Sequence, residues 1–399
     1  MTGGPHLKSL GRRLLELALL ALFLGIALFL VRLTLNRPWD TETYWYAASA
    51  AIAGLNPYDS ADLSRLAHRT VGMPFLYPPA TILLFVPLTL LPVLQAAELW
   101  ALAKVALLFG LFRIWRSRFL SSAHPILLLA AVVFAYNAAA VWDLKTGNIA
   151  ILESILLWAG FSAYVGGRRP EFAAWVVVAS LFKLFPIVFL LLLLAPSRSG
   201  SRDGRLALWA FAAWALVVFV PVLVGPVWAR DYAHQLPAER PWGTASPSAL
   251  GLIDMVSGEK TTPLQALGLW AGYALVLIAC SVPVLRRLMR RGDDAERIMV
   301  AAVLFVLLMP RTMAYSYLLA LAPSFALGAP MLRRLGGFFA VGGILMAQAL
   351  LAPALGFDYR NPWLSNLPFL MLLGLWVAFL VYESRRRLAA PPRAVLRPA

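Results

Sequence analysis

Apolar runs long enough to cross a bilayer recur along the whole chain, and they constrain its fold more than any single residue does. A spanning helix needs about 20 consecutive apolar residues. Twelve candidate spans fall at residues 14–35, 76–94, 96–115, 125–142, 148–165, 172–195, 206–228, 264–285, 298–309, 313–327, 335–352 and 364–382. The ninth and tenth are short because Pro310 and Arg311 interrupt them. Of the 399 residues, 61% are apolar and 14% charged, against about 45–50% and 25% in soluble domains. One soluble core cannot absorb that excess, and a disordered or collagen-like chain is excluded. The expected architecture is an all-α polytopic membrane protein forming one integral membrane domain. The first span is not a cleavable signal peptide, since its apolar run is too long and no small-residue cleavage site follows it.

The net charge of +16 reads as basic loops orienting the helices rather than as a nucleic-acid surface, because the basic residues are spread over the loops. With a cytoplasmic N-terminus and twelve crossings, Lys8, Arg12 and Arg13 lie inside, as do the 198–205 and 286–297 loops, Arg333 with Arg334, and the tail at 383–399. Both termini are then cytoplasmic, in a multi-pass protein of the plasma membrane. Two loops conflict with this bias: Arg113, Arg116 and Arg118, and Arg168 with Arg169, all fall outside. Splitting the sixth span into two half-helices that meet near Lys183 would reassign the middle loops. Cys280 is the only cysteine, which excludes an intrachain disulfide and a Cys-rich metal site.

Two long outer segments remain for chemistry, 36–75 and 229–263. The first mixes Asp40, Glu42, Asp59 and Asp62 with Trp39, Tyr44, Trp45, Tyr46 and Tyr58, a composition suited to short amphipathic helices at the membrane surface. Residues 47–53 read as such a helix, ended by Gly54 and by Asn56-Pro57.

Asp40 follows the first span, where a carboxylate at the mouth of an outward cavity can deprotonate a hydroxyl; the bland reading is a solvated loop acid. Glu42 could join it in a D-x-E pair. A divalent cation would rest on that pair alone, and no cofactor or metal site is expected. Lys183 lies mid-span and needs either an anionic ligand such as a phosphate or an ion pair with Glu98 or Glu153. Lys104 reads as a neighbour of Glu98 or a snorkelling side chain. Arg311, at a helix break, could grip a phosphate or cap an interface. Asp143, Lys145 and Asn148 flank Gly147 at a turn and read as helix capping. The four histidines show no ligand spacing, and neither a phosphate-binding G-x-x-x-x-G-K-[ST] loop nor a G-x-S-x-G elbow occurs.

Several motifs in order carry a family resemblance. Asp40–Asp59 reads D-T-E-T-Y-W-Y-A-A-S-A-A-I-A-G-L-N-P-Y-D, Phe75–Pro79 reads F-L-Y-P-P, and L-P with A-x-E-L-W lies within Leu91–Trp100. T-G-N-I at Thr146–Ile149, S-L-F-K-L-F-P at Ser180–Pro186 and S-P-S-A-L-G at Ser246–Gly251 follow. This set resembles glycosyltransferase family 87, polyprenol-phosphate-mannose-dependent mannosyltransferases with a GT-C fold. The resemblance implies a donor sugar on a polyprenyl phosphate and a lipid- or glycan-linked envelope acceptor. It implies Asp40 as general base and inversion at the anomeric carbon; Glu42 stays the second catalytic candidate through the D-x-E pair. Lys183 and Arg311 would hold the donor phosphate, and Tyr44, Tyr58, Tyr77, Asn148 and Tyr315 would line the pocket. M-P-R-T-M-A-Y-S at Met309–Ser316 departs from the family, because Tyr315 stands where a histidine is usual. Two other readings compete. Buried charges among many helices suit a transporter or lipid flippase, which inverted repeats would favour, and a structural membrane subunit of an envelope assembly is the third.

Overall fold

The computed structural model describes residues 38–71, 74–196, 203–238, 246–258, 260–291, 293–351 and 362–388, with isolated positions between 14 and 32. They form helices joined by turns and irregular segments, with no strand among them. The expected first span and the tail beyond residue 388 lie largely outside the described residues. Four helices are long and apolar enough to cross a membrane, or five if one bent pair counts as a span, and the chain is a multi-pass membrane protein.

The first segment forms α1 (Trp39–Ile52) and α2 (Ser60–Ala67). α1 begins eight residues before the expected short helix, directly after Pro38, so Asp40 and Glu42 stand in its first turn. Tyr44, Tyr46, Ala47, Ala48 and Ala50 are buried, which makes α1 a core element rather than a surface helix. α2 buries only Leu63.

The expected span at 76–94 is not one straight helix. α3 (Pro79–Phe85) and the 3-10 turn Val86–Leu90 are bent by 117° from α4 (Val93–Ile114) and its π-helical end. Pro87 and Pro92 explain the break, since each lacks an amide donor and restricts the residue before it.

α5 (Pro125–Thr146) and α6 (Ala150–Val165) follow. Inside α5, Tyr136, Asn137 and Ala138 adopt left-handed backbone angles, which cost about 1–2 kcal/mol per residue. Buried contacts offset this: the Tyr136 hydroxyl lies 2.5 Å from Ser324 Oγ, and its ring centroid 5.2 Å from that of Tyr317. Nothing in the apolar pattern of this stretch signals the break.

α7 (Arg169–Ser180) leads through Lys183 into the 3-10 helix Phe185–Leu194. The Tyr164 hydroxyl donates to the Leu192 carbonyl at 2.9 Å, so the second half ends where α6 ends and α7 begins. The expected single span at 172–195 is therefore a hairpin that returns to the side it left, with Lys183 at its tip.

α8 (Gly204–Val224) buries only Trp214 and Val218 and exposes Leu208, Trp209, Phe211, Leu216, Phe219 and Leu223, as a lipid-facing helix does. α9 (Val227–Ala238), α10 (Ala249–Ser257), α11 (Pro263–Arg291), α12 (Asp294–Leu308), the 3-10 turn Ala314–Tyr317, α13 (Leu318–Met331), α14 (Phe338–Leu351) and α15 (Pro362–Leu388) complete the chain.

Ionic and ring contacts show which loops share a face. Arg169 pairs with Asp294 at 3.4 Å, and Arg297 donates to the Pro196 carbonyl at 2.8 Å. Arg287 pairs with Glu383 and Glu296. The His124 ring lies 6.2 Å from that of Phe339, just beyond Arg333 and Arg334. The 116–124 and 166–169 loops thus lie on the face that carries the 286–297 loop. The twelve-span reading puts those two loops on the opposite side from it, with the bent pair and the hairpin each counted as full crossings.

Candidate active site

The site gathers where α1, the Tyr77 segment, the turn between α5 and α6, and the 3-10 turn Ala314–Tyr317 converge. Its centre is the side-chain amide of Asn148. The Asn148 Nδ2 lies 2.9 Å from Asp40 Oδ2, 2.7 Å from Tyr77 Oη, 3.0 Å from Tyr315 Oη and 3.2 Å from Tyr44 Oη. An amide has two protons to donate, so these four oxygens share them. Asn148 Oδ1 accepts from the Ala150 amide, the first of α6, at 3.1 Å, which fixes which way the amide faces.

Local chemistry explains the turn. α5 ends at Gly147, whose φ of +78° favours glycine. A Cβ there would stand 1.8 Å from Thr41 Oγ1. The Gly147 carbonyl accepts from Trp100 Nε1 at 2.9 Å and from Thr41 Oγ1 at 3.3 Å. Lys104 and Asp143 are both fully buried and pair at 2.6 Å. Lys104 Nζ also donates to the carbonyls of Asp143 at 2.5 Å and Asn148 at 3.0 Å. The expected neighbour of Lys104, Glu98, is exposed. The sequence reading missed Thr41, Trp100 and the Lys104–Asp143 pair; the only signal was a lysine and an aspartate at membrane depth in separate apolar runs.

Asp40 is partly buried at the edge of this cluster. Burial pushes its carboxyl up to about 6, against the pull of hydrogen bonds from Asn148 and Thr146; Asp143 adds to the rise and Lys104 opposes it. A carboxylate near that value can both exist as a base and accept a proton close to neutrality. Burial also raises the Tyr44 and Tyr77 phenols, which keeps them protonated.

The remaining expected residues divide. Glu42 faces away from the cluster and is held by Arg69. Tyr58 stands behind the site, donating to the Tyr77 carbonyl at 2.9 Å while its ring packs on Phe75, Trp228 and Tyr232. Lys183 Nζ lies 2.7 Å from Glu153 Oε2 and 5.4 Å from the centre of the Tyr315 ring, so the ion pair expected as one alternative is present. Arg311 is exposed, close enough for its charge to act on Tyr315, and no carboxylate pairs with it among the described residues. Ser246 Oγ donates to the Thr312 carbonyl at 3.0 Å and the Tyr317 hydroxyl to that of Pro247 at 2.6 Å, so the S-P-S and M-P-R-T segments meet beside it. Among the described residues no group of three or more His, Cys, Asp or Glu could hold a metal ion.

Residues 75–310 match glycosyltransferase family 87. Tyr77, Asn148 and Lys183 lie within that stretch, whereas Asp40 and Tyr315 lie outside it and join the site through the fold. A polyprenol-phosphate-mannose-dependent alpha-(1-2)-phosphatidylinositol mannoside mannosyltransferase of Mycobacterium tuberculosis (strain ATCC 25618 / H37Rv) is 25% identical over 329 residues, covering 77% of this chain and 74% of that protein.

Proposed function

This chain belongs to glycosyltransferase family 87, and on that footing we propose that it moves a hexose, mannose first, from a polyprenyl-phosphate donor to a lipid- or glycan-linked acceptor on the outer side of the plasma membrane. The observation that carries the reading is the partly buried Asp40 carboxylate, raised toward neutrality and held by Asn148 inside a ring of three phenols.

In the proposed reaction the acceptor oxygen attacks the anomeric carbon from the face opposite the phosphate. The new glycosidic bond forms as the bond from carbon to phosphate oxygen breaks. Asp40 takes the hydroxyl proton, and the polyprenyl phosphate leaves as an anion. Inversion turns a β-linked donor into an α-linked product. Arg311, with no carboxylate partner among the described residues, would meet the phosphate, while Lys183 would have to exchange Glu153 for it; cations at this position stabilise charge that develops on the leaving group. Glu42, paired with Arg69, is assigned to holding α1 against the loop that follows α2.

The membrane path belongs to the same proposal. Ten crossings, with the 79–90 and 169–194 segments entering without crossing, bring Arg113, Arg116, Arg118, Arg168 and Arg169 inside and leave Asp40, Asn148 and Arg311 at the outer end. Both conflicts with the distribution of basic residues then disappear.

The test is transfer from radiolabelled polyprenyl-phosphate mannose by the purified full-length protein in lipid nanodiscs supplied with envelope lipid extract. Label is expected in an acceptor with wild type and not with Asp40→Ala. No transfer and no donor hydrolysis by wild type, with donor moved across vesicle membranes instead, would replace the enzyme reading with a flippase.

A further inference from the structure

Among the described residues Lys104 is the one lysine whose side chain is completely inside the protein, and the proposed reaction gives it no part. A buried ammonium is costly unless its surroundings satisfy it. Lys104 Nζ is met by three oxygens: Asp143 Oδ1 at 2.6 Å, the Asp143 carbonyl at 2.5 Å and the Asn148 carbonyl at 3.0 Å. Two of these are backbone atoms bracketing the turn between α5 and α6. Asp143 closes the other side, since its Oδ2 accepts from the Ile151 amide at 3.2 Å. One helical turn earlier on α4, Trp100 donates to the intervening Gly147 carbonyl at 2.9 Å. Residues four apart share a helix face, so one face of α4 grips consecutive carbonyls of the turn that presents Asn148 to Asp40.

Two of the three oxygens that meet the ammonium thus belong to the backbone of that one turn. We propose that Lys104 and Asp143 are positioning residues: they fix the turn at residues 143–148 so that the Asn148 amide holds Asp40 ready to accept a proton. This rests on the reading of Asp40 as base. The groups acting on Asp40 are Asn148, Thr146 and Asp143 from α5 and the turn after it, and Lys104 from α4. Tyr44 from α1, Tyr77 and Tyr315 complete its surroundings through the shared amide.

The experiment compares full-length wild type with Lys104→Met, Lys104→Gln and the double variant Lys104→Met/Asp143→Leu. The double variant replaces the pair by apolar side chains, which is often neutral or stabilising for a buried pair. It therefore separates stability from positioning. Amide hydrogen exchange across residues 146–151, turnover, the donor KM and the acid limb of the pH profile are measured. Losing hydrogen bonds to a charged group corresponds to about a tenfold to hundredfold effect. Lys104→Met is expected to raise exchange in the turn and lower kcat by that range, with donor KM unchanged to within about twofold and the acid limb moved to higher pH. The double variant is expected to recover thermal stability without recovering exchange protection, kcat or the acid limb. Lys104→Gln, which can still donate to a carbonyl, is expected to fall between wild type and Lys104→Met. A double variant with wild-type kcat and acid limb would overturn the proposal, and so would unchanged exchange at 146–151 in Lys104→Met or Lys104→Gln. Exchange is read whether or not the chain transfers sugar, so failure of the enzyme reading and failure of the positioning role give different results.

Discussion

The Asn148 amide lies 2.9 Å from the Asp40 carboxylate although 108 residues separate them. The contact joins the first turn of α1 to the turn that leads into α6. It makes the proton affinity of Asp40 depend on a residue from another helix.

The first prediction concerns pH. Asp40 acts as a base only when ionised, and its carboxyl sits at about 6. Turnover is therefore expected to be full above about 7 and to fall about tenfold per pH unit below about 6. The hydrogen bond from Asn148 favours the ionised form, so Asn148→Ala should move this limb upward by about one pH unit. A pH profile of kcat on both proteins checks this; a limb that stays in place would remove Asn148 as the partner that tunes Asp40.

Removing only the basicity should separate chemistry from binding. Asp40→Asn keeps the shape and is expected to bind the polyprenyl-phosphate donor within about threefold of wild type, while turnover falls by at least about a hundredfold. Equilibrium binding of radiolabelled donor and single-turnover rates measure the two quantities. Retained turnover would exclude Asp40 as base.

Arg311 and Lys183 should behave differently. Arg311 has no carboxylate partner among the described residues, whereas Lys183 is engaged by Glu153 at 2.7 Å. Arg311→Ala is expected to raise the donor KM about tenfold to hundredfold, the loss of a charge-assisted contact. Lys183→Ala leaves the Glu153 carboxylate unpaired, so its main effect should be lower thermal stability, relieved by adding Glu153→Gln. If the double variant regains stability but not donor affinity, Lys183 meets the phosphate as well.

Gly147 tests the turn itself. Its positive φ costs an L-residue about 1–2 kcal/mol, and a Cβ would collide with Thr41 Oγ1 at 1.8 Å. Gly147→Ala is expected to lower the melting temperature and turnover together. Thr41→Ser should leave both near wild type, because the hydroxyl that meets the Gly147 carbonyl is retained.

Sidedness can be read with single cysteines introduced after replacing Cys280, the sole native one. Arg116→Cys and Arg168→Cys are expected to resist an impermeant maleimide applied to intact cells, whereas Lys145→Cys should react. The opposite pattern would restore the twelve-crossing path.

Much of the site was legible because it is written in short segments. Asp40, Tyr77 and Asn148 each sit in a motif whose order along the chain resembles the family, and they converge in space. Glu42 lies apart from Asp40 because a two-residue spacing joins side chains in an extended loop, but on a helix it turns them to different faces. α1 starts early enough to make that difference. The partner of Lys104 was hidden for a different reason: nearness along one helix pointed to Glu98, whereas the real partner lies 39 residues away across a helix interface. Apolar content identified lipid-embedded segments but not their path, since a half-length hairpin and a full span can have the same composition. The left-handed turn at 136–138 has neither glycine nor proline and is held by tertiary contacts alone.

The hairpin at 169–194 has a further consequence through parity. Replacing one crossing by an excursion that returns inverts everything after it, and replacing two restores the original sense. In the proposed path the bent 79–90 pair and the hairpin are those two replacements. A reporter fused to the C-terminus would therefore give the same answer for ten crossings as for twelve, as would any probe beyond residue 205. Only the stretch between the two replacements turns over. That stretch carries Asn148 and Lys104, so the orientation of the residues closest to the chemistry is the one that terminal tags cannot report.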